Sequence, residues 1–266
     1  MKKVILFAIV SVILFFGCQK EQAYDKSQAL MSKLEIENVG KRHNEIVYEV
    51  IRSDKEYKSI NEVIRNVDTK VTNEGSLINL NQSDAEAFGQ GIPEKVLSRF
   101  NNHKSYSWVK KIFSIDFDNI TLKEAVEHLS NIEKEAKNSI LDKNELTAVL
   151  VSISVAKNSA ELWMSKNQGG LALSEKIIKK QNFFSPELRD IGFDNTNIDG
   201  GSTSAKADPT KTKKTSIIVA SDAIGAYTGF IQTAVLAPIP GANAAIAANT
   251  VLQGATASIL SAISLW

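Results

Sequence analysis

The strongest constraint on the fold is the near absence of charge in the last fifth of the chain. From Ser216 to Trp266 the only charged side chain is Asp222. The segment Ala237-Pro238-Ile239-Pro240-Gly241 divides this stretch, because proline cannot donate a backbone hydrogen bond in a helix and disfavours helix at the residue before it. The two arms, residues 216–236 and 242–266, are apolar or rich in alanine. They predict an apolar helical hairpin over residues 215–266, buried in protein or in a lipid bilayer.

Small residues within this hairpin predict close helix packing. Gly225 and Gly229 form a GxxxG pattern, and Gly241 and Gly254 continue the small-residue theme on the returning arm. Small side chains allow helix backbones to approach closely where no hydrophobic drive acts between helices. We therefore predict that these four glycines are helix-packing residues.

The length of the first arm leaves two environments open for the hairpin. A helix over residues 216–236 would measure about 32 Å, and a hydrocarbon core is about 30 Å thick. If Asp222 were instead the N-cap, about 14 residues would remain, too few to cross a bilayer. A buried Asp costs about 2.5 to 3.5 kcal/mol on insertion scales, which makes unaided insertion marginal. Contact with a bilayer and packing against the chain's own domain or a partner helix are both compatible with this sequence.

The N-terminus has the three parts of a secretory signal peptide. Met1-Lys2-Lys3 is positively charged, an apolar run follows from Val4 to Phe16, and Gly17 is a small residue before an abrupt polar turn. About thirteen apolar residues are too few to span a bilayer comfortably, so an exported chain is favoured over a transmembrane anchor.

The segment Leu14-Phe15-Phe16-Gly17-Cys18 resembles the lipobox of bacterial lipoproteins, although Phe15 and Phe16 are bulkier than its usual residues. The resemblance implies a signal peptide over residues 1–17, cleavage after Gly17, diacylglycerol and an N-acyl chain on Cys18, and a lipidated tether over residues 18–24. Gln19, where Asp commonly retains lipoproteins at the inner membrane, implies the outer membrane, on its periplasmic or surface face. Several acyl chains anchor firmly, since each buried methylene contributes about 0.8 kcal/mol.

Cysteine and charge counts limit the rest of the chain. Cys18 is the only cysteine, so the folded domain contains no internal disulfide. Lys and Arg number 31 against 30 Asp and Glu, and removal of Lys2 and Lys3 with the signal leaves 29 basic residues. This near-neutral balance favours neither nucleic acid nor an anionic surface as a partner.

Periodic apolar residues predict an α-helical domain over residues 25–188. The strongest amphipathic pattern lies over residues 143–166, and Gly40 is expected to separate two helices between Tyr24 and Ile51. Capping boxes are predicted at Ser83-Asp84-Ala85-Glu86 and Thr121-Leu122-Lys123-Glu124. Further helices are expected over residues 54–67 and 171–180. Residues 189–214 are polar and predict a flexible linker. The fold class is therefore all-α: an irregular helical bundle, a linker and the apolar hairpin.

The sequence contains no recognisable catalytic or metal-binding motif. His43, His103 and His128 are isolated from one another and from Cys18, and we expect surface or partly buried histidines. Asn195 to Gly200 echoes an EF-hand opening, but the twelfth position is Lys206 instead of Glu. We expect no metal, and no cofactor apart from the covalent lipid on Cys18.

These observations favour a non-enzymatic envelope lipoprotein whose hairpin engages a membrane or a partner helix. One alternative is a structural lipoprotein whose hairpin completes a protein complex. A second alternative is a bacteriocin-like protein. By its composition and its Pro-Gly turn, the hairpin resembles glycine-zipper segments of envelope proteins and the apolar hairpins of pore-forming bacteriocins. That resemblance implies membrane permeabilisation. An envelope hydrolase is a further alternative, for which no residue is nominated.

Overall fold

The computed structural model describes residues 30–53, 59–72, 81–139, 141–165, 213–239 and 241–265, together with positions 55, 57, 173, 176 and 177. These residues form nine α-helices and two short 3₁₀ turns, with no strand among them, which confirms the all-α fold class. The predicted signal peptide, tether and EF-hand-like string lie outside the described residues. So do nearly all of the predicted linker and most of the predicted helix over 171–180.

The nine helices of the described ranges are numbered in chain order. They are α1 (Lys33–Arg52), α2 (Ile60–Thr72), α3 (Gln82–Gly89), α4 (Pro93–Leu97), α5 (Tyr106–Phe113), α6 (Leu122–Lys137), α7 (Lys143–Met164), α8 (Lys214–Thr233) and α9 (Ala242–Leu265).

The α8–α9 hairpin lies at the centre of the bundle. The two helices form the most extensive helix pair in the described structure, α8 also packs on α7, and α9 contacts α1, α2 and α3. Burial is continuous from Ile218 to Phe230 in α8 and from Asn249 to Ala262 in α9, so these stretches have no solvent-facing side. The hairpin and the preceding helices share a single hydrophobic core.

Among the described helices, α9 alone is long and apolar enough to cross a membrane. In its most apolar stretch 83% of the residues are buried inside the bundle. The same length and composition suit a fully enclosed core helix, since a helix that is apolar all round must be covered on every side.

One of the two predicted capping boxes is present in the structure. Thr121 and Glu124 form the predicted capping box of α6, with the Glu124 amide donating to Thr121 Oγ1 over 3.3 Å. The predicted box at Ser83 is wrong, because α3 starts earlier, at Gln82. Its N-cap is Asn81, whose side-chain oxygen accepts from the Ser83 amide over 2.9 Å.

The predicted break at Gly40 is also wrong, because α1 runs through it. A Cβ atom at Gly40 would lie 2.4 Å from Asn158 Nδ2 and 2.6 Å from Ser154 Oγ. This glycine therefore permits close contact between α1 and α7, and that packing outweighs its weak helix propensity.

A loop carboxylate caps the start of the hairpin. Helix α8 begins at Lys214, so Asp222 lies inside the helix and is not its N-cap. The amides of Thr215 and Ser216 donate to the Asp118 carboxylate over 3.0 and 2.9 Å. Asp118 thus satisfies orphan donors and complements the positive end of the helix dipole.

Candidate functional site

The α8–α9 contact is built around two of the predicted packing glycines. A Cβ at Gly225 would lie 2.6 Å from the Gln253 carbonyl oxygen, and a Cβ at Gly229 would lie 2.7 Å from the Asn249 carbonyl oxygen. Asn249 Nδ2 also donates to the Gly229 carbonyl over 2.8 Å. Any larger residue at these positions would collide with the backbone of α9.

The other two predicted glycines have different surroundings. Gly254 faces α1, where an added Cβ would lie 3.1 Å from His43 Cδ2. Gly241 does not pack between helices as predicted, since an added Cβ would have no neighbour within 4 Å. Its φ of 83° lies in the left-handed region, so Gly241 serves the turn between α8 and α9.

His43 and Asp222 form the polar centre of the bundle. No sequence pattern predicted that these two residues would be in contact. His43 on α1 and Asp222 on α8 are both fully buried, and His43 Nε2 lies 3.6 Å from Asp222 Oδ2. Ser159 on α7 and Ser258 on α9 donate to the same carboxylate oxygen over 2.5 and 3.1 Å. The cluster therefore joins four helices through one side chain of the hairpin.

Burial controls the ionisation of this pair. It lowers the pKa of His43 to about 4, against smaller opposing effects of hydrogen bonds with Asn44 and Gly254. Burial raises the pKa of Asp222 well above its ordinary value, against the hydrogen bonds from Ser159, Ser258 and Trp163. Both shifts have the same cause, since an apolar surrounding disfavours charge. Burial therefore favours the protonated acid of Asp222 and the neutral imidazole of His43.

The arrangement around Asp222 differs from that of a hydrolase. Ser159 and Ser258 donate their hydroxyl hydrogens to the carboxylate, whereas a nucleophilic serine hydrogen-bonds to the imidazole that activates it. The side chains of His43 and Asp222 have no solvent exposure. The cluster gives Oδ2 of the one acidic group of the hairpin two hydroxyl donors and links α8 to α1, α7 and α9.

A second polar cluster fixes α8 further along the helix. Glu145 on α7 accepts from the Ser105 amide over 2.8 Å and lies 3.1 Å from His103 Nδ1. Ser105 Oγ lies 2.8 Å from the Tyr227 hydroxyl and also donates to Glu145. Burial raises the pKa of Tyr227, so its hydroxyl stays protonated and hydrogen-bonded.

The histidines are therefore less isolated than their sequence positions suggest. His43 and His103 each lie beside a carboxylate from a distant part of the chain. His128, on α6, is exposed. Within the described ranges no three His, Cys, Asp or Glu side chains are grouped in a way that could hold a metal ion.

The turn of the hairpin is uncovered, unlike its two helices. Val235 is 78% exposed and Ile239 57% exposed. Residues 234–245 carry no charged side chain. Only two other large hydrophobic side chains in the described ranges are comparably exposed, Leu34 and Ile92. An exposed apolar segment of this kind is typical of an interaction surface.

A groove of about 880 Å³ lies between α1, α6 and α7. At its rim Lys157 and Lys137 reach the Glu133 carboxylate over 2.7 and 2.5 Å. Its apolar lining residues Ile36 and Leu146 are themselves buried. The groove is lined by both polar and apolar side chains, whereas the turn is exposed, apolar and uncharged, so we take the turn as the candidate site.

Comparison with protein-family models, with curated proteins and with solved structures gives no match.

Proposed function

We propose that the chain is a non-enzymatic lipoprotein of the bacterial envelope, anchored in the outer membrane through Cys18, whose α8–α9 hairpin engages the membrane. The observation that carries the proposal is the exposed, uncharged turn of an otherwise enclosed hairpin. The lipobox-like segment ending at Cys18 supports the anchor.

The packing of the hairpin supports engagement through its turn in preference to insertion of both helices. Removal of α8 and α9 from the bundle would separate Asp222 from Ser159 and His43 and would expose the core surfaces of α1 and α7. Val235 and Ile239, in contrast, meet the surrounding medium without any rearrangement.

Two measurements test the lipid anchor and the role of the turn. Incorporation of radiolabelled palmitate should be complete in the native chain and absent from Cys18→Ser. A Cys18→Ser chain exported by a non-lipid signal should retain weak association with membranes through the turn. Retained labelling in Cys18→Ser would contradict the anchor, and a fully soluble protein would contradict membrane engagement by the hairpin.

Point substitutions in the turn are better probes than deletion of the hairpin, because α8 and α9 form the core of the bundle. Ile239→Lys should abolish the residual membrane association of the Cys18→Ser chain. Ile92→Lys is the matched control, since Ile92 is a similarly exposed isoleucine. Equal losses in both variants would indicate a general effect of added charge and would contradict the proposal.

A partner protein is the second candidate for the same surface, because exposed apolar segments also bind proteins. In that case Ile239→Lys should release a protein that co-purifies with the native chain, and association of the Cys18→Ser chain with protein-free vesicles should be absent.

Membrane permeabilisation is the third candidate, favoured by the length and composition of α9. It predicts release of a trapped dye from vesicles by the intact protein. A protein that binds vesicles without dye release would exclude this candidate and leave engagement through the turn.

A further inference from the structure

The hairpin turn lies at the same end of the bundle as the entry of the N-terminal tether. The side chain of Asn243, in the first turn of α9, lies close enough to Glu35, in the first turn of α1, to lower the pKa of its carboxyl. Further along both helices, His43 lies against Gly254. Helices α1 and α9 are therefore parallel, and both begin where the turn at residues 234–241 protrudes.

Exposed large hydrophobic side chains concentrate at this end. Leu34, 64% exposed, is the immediate neighbour of Glu35, and Val235 and Ile239 belong to the turn. Ile92 lies near the opposite end of α9. It follows α3, and the Phe88 carbonyl of α3 accepts from Ser261 Oγ, close to the C-terminus of α9, over 3.1 Å. Asn243 and Ser261 are about 27 Å apart along α9 at 1.5 Å per residue.

The tether limits the distance between this end of the bundle and a lipid at Cys18. Twelve residue steps separate Cys18 from Leu30, and a fully extended chain of that length spans roughly 40 Å at most. Leu30 is held on the bundle, since its amide donates to Thr147 Oγ1 over 2.6 Å. A lipid at Cys18 therefore keeps Leu30 and this end of the bundle within about 40 Å of the bilayer.

We infer that the end of the bundle formed by Leu34, Val235 and Ile239 is a bilayer-docking face, and that the tether holds it against the membrane that carries the anchor. The inference rests on the proposed lipid anchor at Cys18. Its ligand is the apolar and interfacial region of a phospholipid bilayer, because the turn offers apolar side chains and no charge to a headgroup.

The single cysteine allows a direct test that does not depend on lipidation in the cell. The mature chain, residues 18–266, is coupled through the Cys18 thiol to a maleimide lipid in phosphatidylcholine vesicles. Bromine atoms on the acyl chains quench tryptophan that reaches the bilayer. Tryptophan is placed at the docking face in Ile239→Trp and at the remote end in Ile92→Trp, and the emission of the native tryptophans is subtracted with the wild-type chain.

We expect brominated lipid to reduce the emission of Ile239→Trp and to leave that of Ile92→Trp unchanged. Val235→Trp serves as a second probe of the same face if Ile239→Trp alters the helix content. Quenching at neither position, or equal quenching at both, would overturn the docking face. Because the coupling is chemical, absence of palmitate from Cys18 in cells would contradict the proposed anchor without changing this outcome.

Discussion

Substitution of Asp222 by asparagine should make the stability of the bundle less sensitive to alkaline pH. We expect the folded protein to keep the His43–Asp222 pair uncharged overall, because burial raises the pKa of Asp222 well above 3.8 and lowers that of His43 to about 4. In the unfolded chain these groups titrate near 3.8 and 6.5. The two states therefore bind different numbers of protons above pH 6.5.

The sign follows from proton counting. Between pH 4 and 6.5 the folded pair holds the proton on Asp222, and the unfolded chain holds it on His43, so the pair contributes no slope. Above pH 6.5 the unfolded chain releases this proton and the folded pair retains it. Stability then falls as pH rises, until pH reaches the folded pKa of Asp222. The result is the same if the retained proton lies on His43 beside an ionised Asp222.

One proton corresponds to about 1.4 kcal/mol per pH unit. The asparagine side chain in Asp222→Asn cannot ionise, and its amide oxygen can still accept from Ser159 and Ser258. Above pH 6.5 and below the folded pKa of Asp222, the free energy of unfolding of Asp222→Asn should therefore rise relative to that of the native chain by about 1.4 kcal/mol per pH unit. Urea denaturation followed by circular dichroism across this range measures the difference.

Glu127→Gln is the matched control, because Glu127 is an exposed acidic side chain on α6. Its difference from the native chain should not change over the same pH range. A constant difference for Asp222→Asn would refute the reasoning, since it would mean that the folded bundle holds Asp222 ionised and His43 neutral.

Three further substitutions test the packing and capping of the helices, each by urea denaturation. Gly229→Ala should lower the free energy of unfolding by about 1 to 3 kcal/mol, because the added Cβ meets the backbone of α9. Gly89→Ala is the control: its added Cβ has no neighbour within 4 Å, so it should lower the free energy of unfolding little or raise it. Equal effects of the two substitutions would contradict the close contact between α8 and α9. Asp118→Ala should cost about 0.5 to 2 kcal/mol through loss of the α8 cap, and Asp118→Asn should restore part of it. Thr121→Ala should cost about 1 kcal/mol through loss of the α6 capping box, and an unchanged midpoint would show that the box is not needed.

Sequence patterns predicted the features of this fold that depend on neighbouring residues. The apolar stripe after Thr121 and the run from Lys143 predicted α6 and α7, because helix periodicity and capping are local properties. The hairpin was also predicted from local properties. The low charge of residues 216–266 and their interruption by prolines and a glycine can be recognised without knowledge of distant contacts.

Features that depend on distant contacts could not be predicted in this way. A glycine such as Gly40 commonly ends a helix. Only the close approach of α7 explains why α1 continues through it. His43 and Asp222 are far apart in sequence, and no local pattern links them. The only signal was Asp222 itself, because a lone acidic residue in an apolar arm must find polar partners once it is buried.

The position of the hairpin turn relative to the bilayer is the central claim, and amide hydrogen exchange of the lipidated protein measures it most directly. Peptides covering residues 231–245 and 86–95 are compared between protein anchored on phosphatidylcholine vesicles and the Cys18→Ser chain in vesicle-free solution. We predict slower exchange on vesicles for residues 231–245 and no change for residues 86–95. Unchanged exchange at the turn, or equal slowing in both peptides, would contradict a bundle held with its hairpin turn against the membrane.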